Sequence, residues 1–176
     1  MSDEKHPKEQ NPMRNISIEK IVLNCGCGTK GNIDHAKFIL EKTSGKTAVI
    51  TNSKKRSLFG VPKGKPIGCK VTIRAGAEKE LVKLLKAVDN KLSPKKFDKT
   101  GNLAFGIKEY IDIPGMQYEP KIGIIGFDVC VTLMRPGYRV KRKHIASLVG
   151  KPHAITKAEA IKFMQDKFGV NTQEEE

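Results

Sequence analysis

The sequence predicts an α+β fold: a mostly antiparallel sheet with helices packed on one face and the other face left open. Two patterns carry this. Three segments place apolar residues at helical spacing, and others alternate strictly between apolar and polar or small residues. Size agrees with it. A chain of 176 residues, 38% of them hydrophobic, can bury one substantial core.

Residues 1–14 are polar, with Pro7 and Pro12, and read as a flexible arm before a single domain over 15–170. In the first strand, 19–25, Ile21, Leu23 and Cys25 share one face, and Lys20, Val22 and Asn24 share the other. Asn32 is an N-cap candidate for a helix with Ile33, Ala36, Ile39 and Leu40 on one side and Gly45 as its stop. A short strand follows at 46–51. Across 66–74 the alternation is strict: Ile67, Cys69, Val71 and Ile73 oppose Gly68, Lys70, Thr72 and Arg74. Ala77, Leu81, Leu84, Leu85 and Val88 form a continuous helical stripe, with Glu78 and Glu80 in its first turn and Lys83 and Lys86 later, as the helix dipole favours. In 102–110, Leu103, Phe105 and Ile107 oppose Ala104, Gly106 and Lys108, and a further strand is expected at 127–134. Thr156 and Glu159 form a capping box before the stripe Ala160, Ile161, Met164 and Phe168, which Gly169 ends. Residues 171–176 read as an acidic flexible tail.

Charge narrows the function. Lys and Arg number 33 against 19 Asp and Glu, a formal net charge of +14. A compact domain so charged repels itself unless a polyanion neutralises it, and nucleic acid is the commonest one. A membrane partner is not expected: no apolar run approaches the ~20 residues of a span, and the N-terminus is polar, so a cytoplasmic protein is expected. The four cysteines, Cys25, Cys27, Cys69 and Cys130, lack the two short ligand pairs of a usual zinc site. They read as reduced, buried or partly buried thiols within strand-like runs. A four-cysteine site drawn from three strands is the alternative.

Sheets patterned this way are covered on one side only. The uncovered side would carry Lys20, Asn24, Lys70, Thr72 and Arg74, whose amide, hydroxyl and cationic groups suit ribose and phosphate oxygens. An ordinary solvated face is the bland alternative. Two acid-free basic stretches tip the balance. Asn52–Lys65 carries Lys54, Lys55, Arg56, Lys63 and Lys65 around an apolar centre of Leu58, Phe59 and Val61. That centre either stacks on a base or folds back beneath the loop. Arg135–Lys151 opens on an Arg-Pro-Gly turn and carries Arg135, Tyr138, Arg139, Lys141, Arg142 and Lys143.

Catalysis finds little support. His6, His35, His144 and His153 have no Cys or Ser arranged as a nucleophile, and no paired acids suggest metal-assisted phosphoryl chemistry. Gly26-Cys-Gly-Thr-Lys-Gly31 follows a strand but has neither P-loop nor dinucleotide spacing. A backbone loop bonding an RNA phosphate fits it better. No enzyme, cofactor or metal is expected. An RNA-processing or RNA-modifying enzyme is the alternative class, and it would need an acid cluster or cofactor loop.

Ile67-Gly-Cys-Lys-Val-Thr-Ile-Arg74, Phe97-Asp-Lys-Thr-Gly-Asn102 and Phe105-Gly-Ile-Lys-Glu-Tyr-Ile111 together resemble the 5S rRNA-binding ribosomal protein family of the central protuberance, numbered five in bacteria. Asn11-Pro-Met-Arg14, Leu23-Asn24 and Arg135-Pro-Gly-Tyr138 resemble its archaeal and eukaryotic branch. The resemblance runs in order over about residues 11–170. It implies a structural role in the large subunit, with 5S rRNA, large-subunit rRNA, peptidyl-site tRNA and neighbouring ribosomal proteins as partners. Lys20, Asn24, Lys46 and Thr72 match family positions that contact 5S rRNA, and residues 52–65 match a loop that extends toward the tRNA. Arg14 joins the basic 135–143 residues as an expected contact to other rRNA. At Lys46 many relatives carry Gln, so charge replaces an amide there. The loop enters as Thr51-Asn-Ser-Lys54 rather than the usual Thr-Lys-Ala-Arg.

Overall fold

The computed structural model describes residues 11–28, 31–56, 60–145 and 147–172. Five strands form one sheet: β1 (Ser17–Gly26), β2 (Val49–Asn52), β3 (Pro66–Ile73), β4 (Leu103–Ile107) and β5 (Phe127–Met134), in the order β2-β3-β1-β5-β4. Every neighbouring pair is antiparallel. Three helices complete the fold: α1 (Ile33–Ser44), α2 (Ala77–Lys86) and α3 (Lys157–Phe168). The α+β expectation therefore holds.

The inward residues are those the alternation assigns, except at the start of β3, where Ile67 is only half-buried and Gly68, packed against the β1 backbone, is buried. Ile21, Leu23, Cys25, Cys69, Val71, Ile73, Leu103, Phe105 and Ile107 are all buried. Against them pack Ala36, Ile39 and Leu40 of α1 and Leu81, Leu84 and Leu85 of α2. From α3, Ala160 and Met164 enter the same core. Each full burial of such a side chain contributes about 1.5–3 kcal/mol, so the apolar stripes decide which sheet face is covered. Caps end the helices as expected. Asn32 accepts from Asp34 N–H, Gly45 is left-handed, and the Thr156–Glu159 capping box is formed in both directions.

Element ends depart from the sequence expectation. β2 starts at Val49, not 46, because the Ala48 N–H is drawn to the Glu41 carboxylate at 2.9 Å. β4 stops at Ile107, and Tyr110 opens a 3-10 turn with its N–H bonded to Ile125 O. Pro12–Arg14 is a 3-10 turn tied to the body, since Arg14 O accepts from Arg135 Nε at 3.0 Å. Asn171 bonds Asn90 and Leu92 through its backbone. Backbone contacts to the body thus include Arg14 and Asn171, while 1–10 and 173–176 lie outside the described residues. Among the described residues no helix is long and apolar enough to cross a membrane.

Candidate RNA interface

Among the described residues no helix covers the second sheet face, and strand register sets its layout. Asn24 of β1 lies opposite Lys70 of β3 on one side and Asp128 of β5 on the other. One row further, Val22 lies between Thr72 and Cys130. Next, Lys20 lies opposite Thr132. Directly paired side chains stand about 5 Å apart and diagonal ones about 7–8 Å, so Asn24, Lys70 and Thr72 form one cluster. Ala104 and Gly106, both exposed, keep the β4 side of the face shallow, and a backbone or base can approach it closely. Lys70 is exposed; Lys20, Asn24 and Thr72 are partly exposed.

Arg74 is exposed one residue past β3, beyond the Ile21–Ile73 pair, and so borders the Lys20 corner. Lys46 is not on the sheet. It lies between α1 and β2, and its ammonium donates to Ala75 O at 3.4 Å, beside Arg74. The structure thus brings Lys20, Arg74 and Lys46 to one end of the face and Asn24, Lys70 and Thr72 to its middle.

The face is less cationic than expected. Asp128 stands exposed beside Asn24, with Cys130 on the same strand face. The alternation of 127–134 places both outward, so the signal was present. The thiols are free: Cys25 and Cys69 are buried, Cys130 is partly buried, and Cys27 lies just past β1 rather than within a strand. Burial first, then the neighbouring Cys27 and Cys69, pushes the Cys25 thiol up to about 12. Burial pushes Cys69 up to about 11. Among the described residues no group of three or more His, Cys, Asp or Glu is placed to hold a metal.

The 52–65 stretch joins β2 to β3 at the sheet edge. Its base is laced by Ser53 N–H to Lys65 O at 2.9 Å and Gly64 N–H to Ser53 O at 2.8 Å. Lys54, Lys55, Arg56, Lys63 and Lys65 are all exposed. Phe59, with Leu58, lies outside the described residues, so neither outcome for the apolar centre is decided.

The second basic stretch divides. Arg139, Lys141, Arg142 and Lys143 are exposed, and Arg142 meets Glu19 at 3.0 Å. Arg135 differs from its basic neighbours: it is only 4% exposed. Its guanidinium donates to the carbonyls of Arg14, His153 and Ala154 and to the Glu159 carboxylate at 2.9 Å. Four of its five N–H donors are so occupied and the side chain is buried, which leaves little of the fork to meet a phosphate. It staples the N-terminal turn, the 153–154 backbone and α3. Glu159 answers it. Partial burial would raise its pKa, but hydrogen bonds from the Thr156 N–H, from Arg135 and from the Thr156 hydroxyl outweigh that and hold it below its ordinary value. Tyr138 is also engaged internally, its hydroxyl donating to His153 O and accepting from Ile155 N–H at 2.9 Å. Arg14 donates to Pro152 O at 3.2 Å.

The chain matches the family model described as ribosomal protein L5 over residues 11–57, and the model for the C-terminus of that ribosomal family over 66–163. It is 49% identical over 166 residues to the large ribosomal subunit protein uL5 of Nitrosopumilus maritimus, covering 92% of this chain and 95% of that one. It is 44% identical to the uL5 of Methanococcoides burtonii, covering 93% and 99% of the two chains. For the uL5 of Sulfolobus acidocaldarius the identity is 43%, over 93% and 94%. With both parts matched in order, the chain belongs to the ribosomal protein L5 family, as a structural constituent of the large ribosomal subunit and not an enzyme.

Proposed function

We propose that this chain holds 5S rRNA on its open sheet face within the central protuberance. The observation that carries this is the uncovered face on which Asn24, Lys70 and Thr72 occupy adjoining register positions. Asn24 and Thr72 bond sugar and phosphate oxygens or base edges, while Lys20, Lys46, Lys70 and Arg74 neutralise phosphates. The exposed Arg139, Lys141, Arg142 and Lys143 face large-subunit rRNA, and neighbouring ribosomal proteins close the assembly. The 52–65 loop, through Lys54, Lys55, Arg56, Lys63 and Lys65, reaches peptidyl-site tRNA.

Filter binding of purified protein tests the first part. 5S rRNA should bind far more tightly than an unrelated RNA of equal length, and Lys20→Ala with Asn24→Ala should lower its affinity about tenfold or more. Equal affinity for the unrelated RNA at moderate salt would refute 5S recognition. For the loop, charge reversal at Lys54, Lys55 and Arg56 should slow translation while subunits keep their 5S rRNA. Subunits that lose 5S rRNA in that variant would refute the division between face and loop.

A further inference from the structure

Beside the Lys20 end of the sheet lies a groove of about 510 Å³, between β1, β5, the 99–102 turn and the 138–155 segment. Tyr138, Leu148, Val149 and Ile155 give it apolar walls, and Lys20, Lys99 and Lys141 give it a cationic rim. Leu148 is 94% exposed. It joins Tyr138, Val149 and Ile155 in one apolar lining rather than standing alone, and a contiguous apolar surface with a polar rim suits a ligand.

The walls are fixed in advance. Tyr138 is held through its hydroxyl by Ile155 N–H at 2.9 Å and His153 O at 3.2 Å, which leaves its ring as wall. The opposite turn is held by Asp98, whose carboxylate accepts from Lys99 N–H at 2.7 Å and from the Thr100 hydroxyl at 2.6 Å. Asn102 then donates to Thr100 at 3.0 Å. Glu19, the acid of the groove, is neutralised by Arg142 at 3.0 Å. Lys20, Lys99 and Lys141 make no salt bridge with any described residue.

An apolar slot between ammonium groups suits a planar base with phosphates on either side. The volume lies within the range of small-ligand sites. Lys20 belongs both to the open face and to the groove, so an RNA lying on the face leads into it. We propose that this groove takes one extruded nucleotide of the bound RNA, its base against Tyr138 and Leu148 and its flanking phosphates on Lys20, Lys99 and Lys141. The proposal rests on the RNA-binding role above.

Its test needs no assembled ribosome. The isotope-labelled full chain is titrated with AMP, UMP, ribose 5-phosphate and an acidic apolar peptide, and amide shifts are followed by NMR. AMP should move Thr100, Leu148 and Val149 and bind about tenfold more tightly than ribose 5-phosphate, the margin of one stacked base. Leu148→Ser, at an exposed position, should remove most of that margin and leave ribose 5-phosphate unchanged. Equal binding of AMP and ribose 5-phosphate would reduce the groove to a phosphate patch and overturn the proposal. So would an undiminished AMP margin in Leu148→Ser, or tighter binding of the peptide than of AMP. Asn24→Ala keeps the two ideas apart: it should weaken 5S rRNA binding and leave AMP binding intact. If 5S rRNA binding is unmoved by Asn24→Ala, the face fails, whatever AMP does in the groove.

Discussion

Replacing Arg135 by Ala separates a structural arginine from an RNA-contacting one. The substitution removes four interactions at once. His153 O keeps the Tyr138 hydroxyl, and Glu159 keeps its Thr156 donors, so neither is stranded. Arg14 O and Ala154 O lose the guanidinium, at about 1 kcal/mol each. The ion pair adds about 1 kcal/mol, discounted because the Glu159 side chain is 38% exposed. The total is about 3 kcal/mol, or a fall in Tm of roughly 6–12 °C for a chain of this size. Thermal denaturation followed by circular dichroism measures it. RNA affinity, taken where both proteins are folded, should keep the same slope against salt, because a guanidinium 4% exposed touches no phosphate. Unchanged Tm together with a salt slope shallower by about 0.7–0.9 would refute the staple and restore Arg135 as an RNA contact.

Three further outcomes follow from local geometry. Glu159→Gln should show a pH signature. The folded carboxylate has a depressed pKa, so its contribution is complete above the ordinary value of 4.5 and is lost as pH falls through the lower folded value. The Tm gap between wild type and Glu159→Gln should therefore be full near neutral pH and shrink in acid; a constant gap would contradict this. Gly101→Ala should destabilise by about 3 kcal/mol in urea unfolding: its φ is +79°, and a Cβ would stand 2.5 Å from Ile155 Cγ2. Iodoacetamide at neutral pH should spare Cys25 and Cys69 in the folded protein, since burial raises both thiols, and modify both after unfolding. Labelling at equal rates in the two states would show these thiols to be accessible.

What could be read from sequence was whatever repeats at a fixed period. Cys69, Val71 and Ile73 face inward because β3 has one buried side, and any shift by one residue would bury Lys70 and Arg74. Helix caps are equally local, as Thr156 and Glu159 show. The rest depends on partners far along the chain. Nothing near Arg135 in sequence says that Arg14 O and Glu159 will meet it, so a basic stretch reads as uniformly exposed until the fold separates Arg135 from Arg139 and Arg142. The groove is likewise assembled from segments around residues 20, 100, 132 and 148, each ordinary alone. The bulge between Ile18 and Lys20 has no residue signature, and it sets which way the start of β1 turns.

Charge is spread unevenly over the interface. On the sheet face Lys20 and Lys70 are set against Asp128, while the exposed cations crowd into the 52–65 loop and the 139–143 turn. Phosphate attraction is therefore weighted to the rim, and the middle of the face offers Asn24, Thr72, the single cation Lys70 beside Asp128, and the small residues Ala104 and Gly106. An RNA held mainly by rim cations would bind any sequence, with a steep salt dependence. Discrimination then falls to the amide, the hydroxyl and the shape of the floor. On the proposed reading Asp128 would sharpen it, because an anion beside Asn24 repels a phosphate misplaced there by one register step. Asp128→Asn should thus raise affinity for unrelated RNA more than for 5S rRNA. Asn24→Ala and Thr72→Ala should narrow the same ratio with the salt slope unchanged. Loop lysine substitutions, by contrast, should flatten the slope for both RNAs alike. If Asn24→Ala flattened the slope and kept the ratio, the face would be an extension of the basic rim and recognition would have to reside elsewhere.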